Sequence, residues 1–591
     1  MKRKSHENAY SNLSGVNTKK SDYVTDQTEC LNLVNLDGHE PFSWTKRPGS
    51  TSIATGSTGA VRSVHEFSRL NGFSQIVAGD AQGLHYLAAG GFTSILSGAS
   101  PDQPFDCLNF VNWMWAANGS TFIKWDGSNA YAFGLPKHPE FVPYGDGNDS
   151  AATLNGMTNP YTFYALSYVG PRGDIGPAKI VLATESLGGV YAPYRFTTVT
   201  INNITAPTGY GITAIAIFKG TREYEAGFFD VNTAGFFDEE FQFGNVDFGF
   251  VAYVSTGLTT YSDLSGSTTV TGIEPLPESI YQFTLAPSFI EIHKNSLFMS
   301  GFSSALSDIR WSEIGEPETI QPEYQAEVRT NDGDYIRGKK SFGNQLLIFK
   351  EKSFHKLIGD NVNNYELDEI SSEYGLLSNK AVVVFNDICA FLDPKGIVFY
   401  DGASWTVATE PIQPFLRRMN ISAARQKACA VHYPFRTQIW FGIPIDGSSV
   451  NNFTIVYNYS TKMWSFHEGY NAAGMTEAYG SESNPTVHMG DYSGKVHVFS
   501  PSLYSDNGTG FTCLALTRFH APDGRNVENI FRRLFLDMEP VTGVTGAVTV
   551  EFFKNNDETT SITSRTFYQD VFQGRKEIGI PARSLAMQIT L

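Results

Sequence analysis

Twelve histidines, sixty acidic side chains and five cysteines could in principle hold a metal or move a proton, so their spacing decides what chemistry is open to the chain. No H-x-H, H-E-x-x-H or Cys/His knuckle occurs, so no metal-ligand set is predicted. His85, His293 and His497 each fall on an alternating strand pattern and are expected to be half-exposed strand residues. Cys30, Cys107, Cys389, Cys429 and Cys513 are odd in number and far apart, which fits reduced, mostly buried thiols. Carboxylates cluster at Asp238-Glu239-Glu240 and around Glu366, Asp368 and Glu369. A glycosidase needs two carboxyls held apart in space, one with its pKa raised. These clusters, the first beside Phe236-Phe237, read instead as solvated loops. Arg172-Gly173-Asp174 matches an adhesion tripeptide but sits in a Gly/Pro stretch and reads as a turn. With no Gly-rich phosphate loop and no G-x-S-x-G elbow, the expectation is a protein that is not an enzyme, with no catalytic, cofactor-binding or metal residues and no cofactor.

The elements that would position side chains come next. Phe (44), Tyr (28) and Gly (55) are abundant, which favours strands joined by turns. The formal charge of −17 argues against adhesion to nucleic acid. The basic clusters Lys2-Arg3-Lys4, Lys19-Lys20, Arg417-Arg418 and Arg532-Arg533 read as solvated or docking charges. There is no long apolar run and no apolar segment behind the N-terminal charges, so no membrane span and no cleaved signal are expected.

A recurring unit organises these strands. Asp-x-x-Gly followed by an apolar strand occurs at Asp80 to Leu87, Asp393 to Tyr400 and Asp491 to Phe499. Asp bonds backbone two residues on, and Gly accepts positive φ, so each is a tight turn. Asp393 and Asp491 lie about two intervals of 50 residues apart, the span of a kelch-like blade. Trp125-Asp126-Gly127 and Tyr400-Asp401-Gly402 give a second echo. The prediction is an all-β β-propeller of about six or seven blades with an inserted fibronectin-like β-sandwich and extra C-terminal strands. Its parts are an extended N-terminal arm (1–60), first propeller blades (61–139), the sandwich (140–280), the remaining blades (281–504) and a C-terminal β-domain or propeller-closing strands (505–591). The sandwich expectation rests on the aromatic strand Tyr161 to Val169, the turn Gly170 to Pro177 and the strands Lys179 to Leu182 and Thr213 to Lys219. Gly145 to Ser150 is expected to be a polar loop.

Lys46-Arg47-Pro48-Gly49 after the arm, the insert from Tyr161 to Ile180, and Ser296 to Ser300 leading to Arg310-Trp311-Ser312-Glu313 carry a family resemblance. On these residues the chain resembles the β-propeller tail proteins of short-tailed bacteriophages, the tail hub, nozzle or head-to-tail stabilisation family. The resemblance implies a structural virion protein, made in the host cytoplasm and placed in the tail. Such a protein forms a homo-oligomeric ring, six copies being one candidate number, which contacts portal or adaptor proteins and tail fibre or tail tube proteins. Double-stranded DNA would pass through the channel during genome ejection without sequence-specific binding, along a lumen expected to be lined with carboxylates. The alternative is a carbohydrate-binding or glycoside-cleaving propeller, which needs carboxylates converging in the central pocket.

Overall fold

The computed structural model describes residues 15–19, 29–38, 43–88, 90–98, 103–139, 141–148, 153–154, 157–158, 161–185, 196–222, 248–265, 285–329, 332–361, 364–479, 484–524, 526–538, 546–568 and 573–591. Among these residues, seven antiparallel blades follow one another around a ring. Their first strands are Ser63–Ser68, Asp106–Phe110, Phe289–His293, Ile336–Phe342, Val382–Phe385, Cys429–Tyr433 and Ala472–Ala478, and define blades 1 to 7. In blades 1 to 6 the following strands pair outwards in chain order.

The strand pleat explains why the blades stack. Successive side chains point to opposite faces of a sheet, so a strand covered on both faces reads as a continuous apolar run. Leu346-Leu347-Ile348-Phe349 in blade 4 is such a run, with all four side chains fully buried. Leu346 and Ile348 pack with Phe298, Ile309 and Trp311 of blade 3. Leu347 and Phe349 pack with Cys389, Phe391 and Val398 of blade 5. Each fully buried side chain of this size contributes about 1.5–3 kcal/mol. The same division repeats around the molecule, and Ala54, Val64, Ile76, Ala478 and Val496 join blade 7 back to blade 1. The ring is therefore closed by packing as well as by pairing, and the all-β propeller expected from the turns is what the structure shows.

The three Asp-x-x-Gly turns sit at the same place, between the second and third strands of blades 1, 5 and 7. Both aromatic-Asp-Gly turns sit between the third and fourth strands, in blades 2 and 5. There Asp126 accepts from the N–H groups of Ser128 (2.7 Å) and Asn129 (2.6 Å), and Asp401 from those of Ala403 (2.9 Å) and Ser404 (2.7 Å).

Closure departs from expectation. The fourth strand of blade 7 is Gly49–Thr55, antiparallel to Lys495–Ser500, with Ser50 opposite Phe499 and Thr51 opposite Val498. The C-terminal strands do not fill this place, and the segment read as an extended arm is in part built into the chain's own sheets. Upstream, Cys30–Val34 lies between Met463–His467 of blade 6 and Leu514–Thr517. Through it blade 6 continues into Leu585–Thr590, Ala547–Lys554 and Thr563–Tyr568, forming one nine-stranded sheet. The ribbon of Asn529–Asp537 and Gln573–Ala582 packs on this sheet through Phe531, Leu534, Leu536 and Ile580 over Val548, Val550 and Phe552.

Arg47 locks the closure. Its guanidinium is fully buried and donates to Asn35 Oδ1 (2.8 Å), Pro48 O (3.0 Å), Glu468 O (3.2 Å) and both oxygens of Asp506 (2.5 and 3.2 Å). It also lies over the Phe511 ring at 3.7 Å. A planar fork with five donors is the one side chain that can satisfy so many acceptors at once. Gly49 follows because a Cβ there would come within 2.3 Å of Ser505 O.

The insert leaves between blades 2 and 3. One sheet runs Thr184–Glu185, Val142–Asn148, Phe196–Asn202, Thr260–Asp263; the other runs Lys179–Leu182, Tyr161–Val169, Ala214–Arg222, Phe248–Val254. Tyr164, Leu166 and Tyr168 meet Val199 and Ile201 in the core between them, giving the expected sandwich. The polar stretch read as a loop from Gly145 is instead strand as far as Asn148, because ladder pairing to Phe196–Asn202 overrides the turn propensity of Gly and Asp.

Candidate functional site

The inner strands of all seven blades surround an axial cavity of about 180 Å³. Its chemistry comes from His65 of blade 1, Asp106 of blade 2, Glu291 of blade 3, Lys339 and Lys340 of blade 4, and Lys380 at the start of blade 5. Blades 1 to 5 contribute one or two of these residues apiece, so no contiguous motif announces the cluster.

Its charges are tied to one another. Lys380 Nζ lies 2.8 Å from Asp106 Oδ1, and Asp106 Oδ2 accepts the Ile290 N–H at 3.0 Å. Glu291 Oε1 lies 3.1 Å from Lys340 Nζ and accepts the Ser341 N–H at 3.0 Å. Lys339 Nζ donates to Phe289 O and Ser300 Oγ, both at 2.7 Å. His65 Nε2 is 2.9 Å from Asn109 Oδ1.

These contacts set the protonation states. Burial pushes Lys339 down to about 7 and His65 below its ordinary value. Burial pushes the Asp106 carboxyl up, but the Lys380 ammonium and the Ile290 N–H outweigh it, leaving a carboxylate that titrates below the usual range. The Glu291 carboxylate raises Lys340. Glycoside cleavage by an acid–base pair needs one carboxyl kept protonated near neutral pH. Asp106 is held ionised, and Glu291 is clasped by an ammonium and an N–H. The axial surface is also not acidic, since Arg62, Lys339, Lys340 and Lys380 line it together with Asp106 and Glu291. Strand-borne lysines fill the propeller's own axis, where their ammonium groups find carbonyl and carboxylate partners on other blades.

The residues singled out in the sequence do not converge on this cavity. His85 Nε2 lies 3.0 Å from Asp80 Oδ1, and His497 Nε2 lies 3.0 Å from Asp491 Oδ2, each within its own turn. Asp80 and Asp491 are partly buried, which opposes ionisation, yet hydrogen bonds from the histidine, a serine and the turn backbone hold both at about 2. His293 Nδ1 meets Ser341 Oγ at 2.9 Å, and burial, helped by Lys294, holds it down at about 4. Glu366, Asp368 and Glu369 lie exposed on the outermost strand of blade 4, at the rim. Asp238 to Glu240, Phe236 and Phe237 lie outside the described residues. Arg172-Gly173-Asp174 forms a turn, with Gly173 at φ +86° and Arg172 turned towards Glu316 at 3.8 Å. Among the described residues no group of three or more His, Cys, Asp or Glu side chains is placed to hold a metal.

One constellation was missed altogether. Asp37 Oδ1 meets His467 Nε2 at 2.8 Å, and His467 Nδ1 meets Tyr470 Oη at 3.2 Å, the order of a proton relay. Both the Asp37 and His467 side chains are fully buried, and Arg436 reaches Asp37 Oδ2 at 3.3 Å. Sealed from any substrate, the group ties the N-terminal segment to blade 6. Its partners are some 430 positions apart, which leaves no local signal.

No protein-family model matches the chain, and no match was found among curated protein sequences. Solved structures similar to it include the BBS1 N-terminal domain bound to ARL6, at 11% identity over 77% of this chain and 99% of that one, with a TM-score of 0.31. A streptogramin B lyase matches at 12% identity over 68% of this chain and 93% of that one, TM-score 0.28. The Pan2 WD40 domain of Neurospora crassa matches at 8% identity over 78% and 98%, TM-score 0.27. At such scores the propeller assignment rests on the chain's own sheet order.

Proposed function

We propose that the protein is a structural subunit of a short-tailed bacteriophage tail, one copy in a homo-oligomeric ring that docks to adaptor and tail or fibre proteins and surrounds the DNA ejection channel. The observation that carries this reading is the continuity of blade 6 with the C-terminal layer in a single nine-stranded sheet. A rigid propeller extended sideways by backbone pairing suits a part that transmits contacts between neighbours better than one that turns over a substrate. The axial cavity, at about 180 Å³, has room for only a handful of water-sized molecules of about 30 Å³ each. DNA, whose major groove alone is about 12 Å wide, would run through the axis of the ring of copies and not through the propeller.

Electron microscopy of the purified protein tests the reading directly. Rings of several copies with an open axis are the expected outcome. Turnover of a glycan panel by a monomer, abolished by replacing Asp106 or Glu291, would replace it with the carbohydrate-active alternative.

A further inference from the structure

Two free strand edges of opposite charge stand out at the rim. The first is Glu366–Ser371, the outermost strand of blade 4, which among the described residues pairs only with Phe354–Ile358. Its Glu366, Asp368 and Glu369 are exposed. Asp368 lies 3.7 Å from Lys356, and Glu369 pairs with Arg329, while Glu366 meets no partner among the described residues. The second is Asn529–Asp537 of the C-terminal ribbon, which among the described residues pairs only with Gln573–Ala582. It presents Arg532 and Arg533 between the exposed side chains of Ile530 (58%) and Phe535 (49%). Arg533 is shared with Glu577 at 2.7 Å, and Arg532 has no ion-pair partner among the described residues.

Charged residues on an edge strand keep it from pairing with its own kind. Here one edge is guarded by carboxylates and the other by guanidiniums, so each repels its own copy while matching the other. In a chain of net charge −17, an outward Arg-Arg pair flanked by two exposed apolar side chains is exceptional. We propose that the Asn529–Asp537 edge of one copy docks along the Glu366–Ser371 edge of a second copy, by strand-to-strand addition steered by these charges. Because the two edges differ, the contact is head-to-tail. A repeated head-to-tail contact closes into a ring when the rotation permits, and does not give a two-fold dimer. This inference rests on the ring reading above and specifies which surfaces make it.

Two variants test it, one carrying Arg532→Glu and Arg533→Glu, the other Glu366→Lys, Asp368→Lys and Glu369→Lys. Native mass spectrometry and electron microscopy give the assembly state, and circular dichroism confirms that each variant is folded. Wild type is expected as a ring and each variant alone as a monomer, with association weakened at least tenfold. Mixing the two in equal amounts restores the complementary pairing and is expected to restore assembly; this also shows that neither variant was merely misfolded. Rings that persist in both variants, or a mixture that stays monomeric, overturn the inference while leaving a wild-type ring and its function standing. A wild type that is monomeric or a two-fold dimer overturns both.

Discussion

Blades 5 and 7 carry the same Asp-x-x-Gly turn in the same place, yet they are held together in opposite ways. Blade 5 takes its four strands from one short stretch, Val382–Phe385 to Trp405–Val407. Blade 7 takes three from Ala472 to Ser500 and borrows the fourth from Gly49–Thr55. Their turns differ as well. Asp491 is clasped by His497 and titrates at about 2, whereas burial dominates at Asp393, which accepts only backbone N–H groups and is pushed above the ordinary carboxylate range. A repeat thus preserves geometry while leaving energetics free. The turn of blade 7 has a histidine clasp, as the turn of blade 1 does at His85, that the turn of blade 5 does without.

The largest effect should come from removing the Arg47 lock. Arg47→Ala takes the donor from Asp506 Oδ2 and Glu468 O and the cation from beside Asp506, whose Oδ1 keeps only Ser50, and breaking a buried pair of this kind costs about 3–5 kcal/mol. Urea denaturation should show that loss, and limited proteolysis should cut first near the N-terminal strand and leave blade 5 protected. Gly49→Ala should cost about 1–3 kcal/mol by forcing a Cβ against Ser505 O, read as a lower midpoint in the same titration.

The acid response of the two turns gives the smallest and most discriminating effect. Asp491 has a folded pKa below its unfolded value, so the stability it contributes is present above about pH 4 and lost as pH falls towards 2. Asp393 has the opposite sign, and its protonation as pH falls through its raised value favours the folded state. His497→Ala should therefore shrink the loss of stability between pH 4 and 2 by about 1 kcal/mol after allowance for solvent screening. Thermal melts across that range would show it; an unchanged acid limb would mean that His497 does not hold Asp491.

This contrast also marks what could be read before folding. The turns were legible because Asp and Gly act on their own neighbours, and the blade order followed from them. His85 lies two residues beyond its turn glycine and His497 three; a longer turn at Asp491 absorbs the difference, and both histidines reach their own aspartate. The sandwich was legible from one long aromatic strand and its Gly/Pro turn. The closing strand was not, because Ser50-Thr51-Ser52 reads as a polar tail until Phe499 and Val498 are opposite it. The axial cluster was also hidden, since Asp106, Glu291 and Lys380 lie on three different blades and meet only when the ring closes.

The borrowed strand also imposes a timetable. Gly49–Thr55 leaves the ribosome early, but its partner Lys495–Ser500 follows some 440 residues later, and Cys30–Val34 waits still longer for Leu514–Thr517. At synthesis rates of roughly 5–20 residues per second, the early strands stay unpaired for roughly 20–90 s. Blades 1 to 6 can form during that interval, yet the ring cannot close. A chain interrupted before Lys495 would lack the partner for Gly49–Thr55, so ring closure marks a nascent chain that has been translated through blade 7.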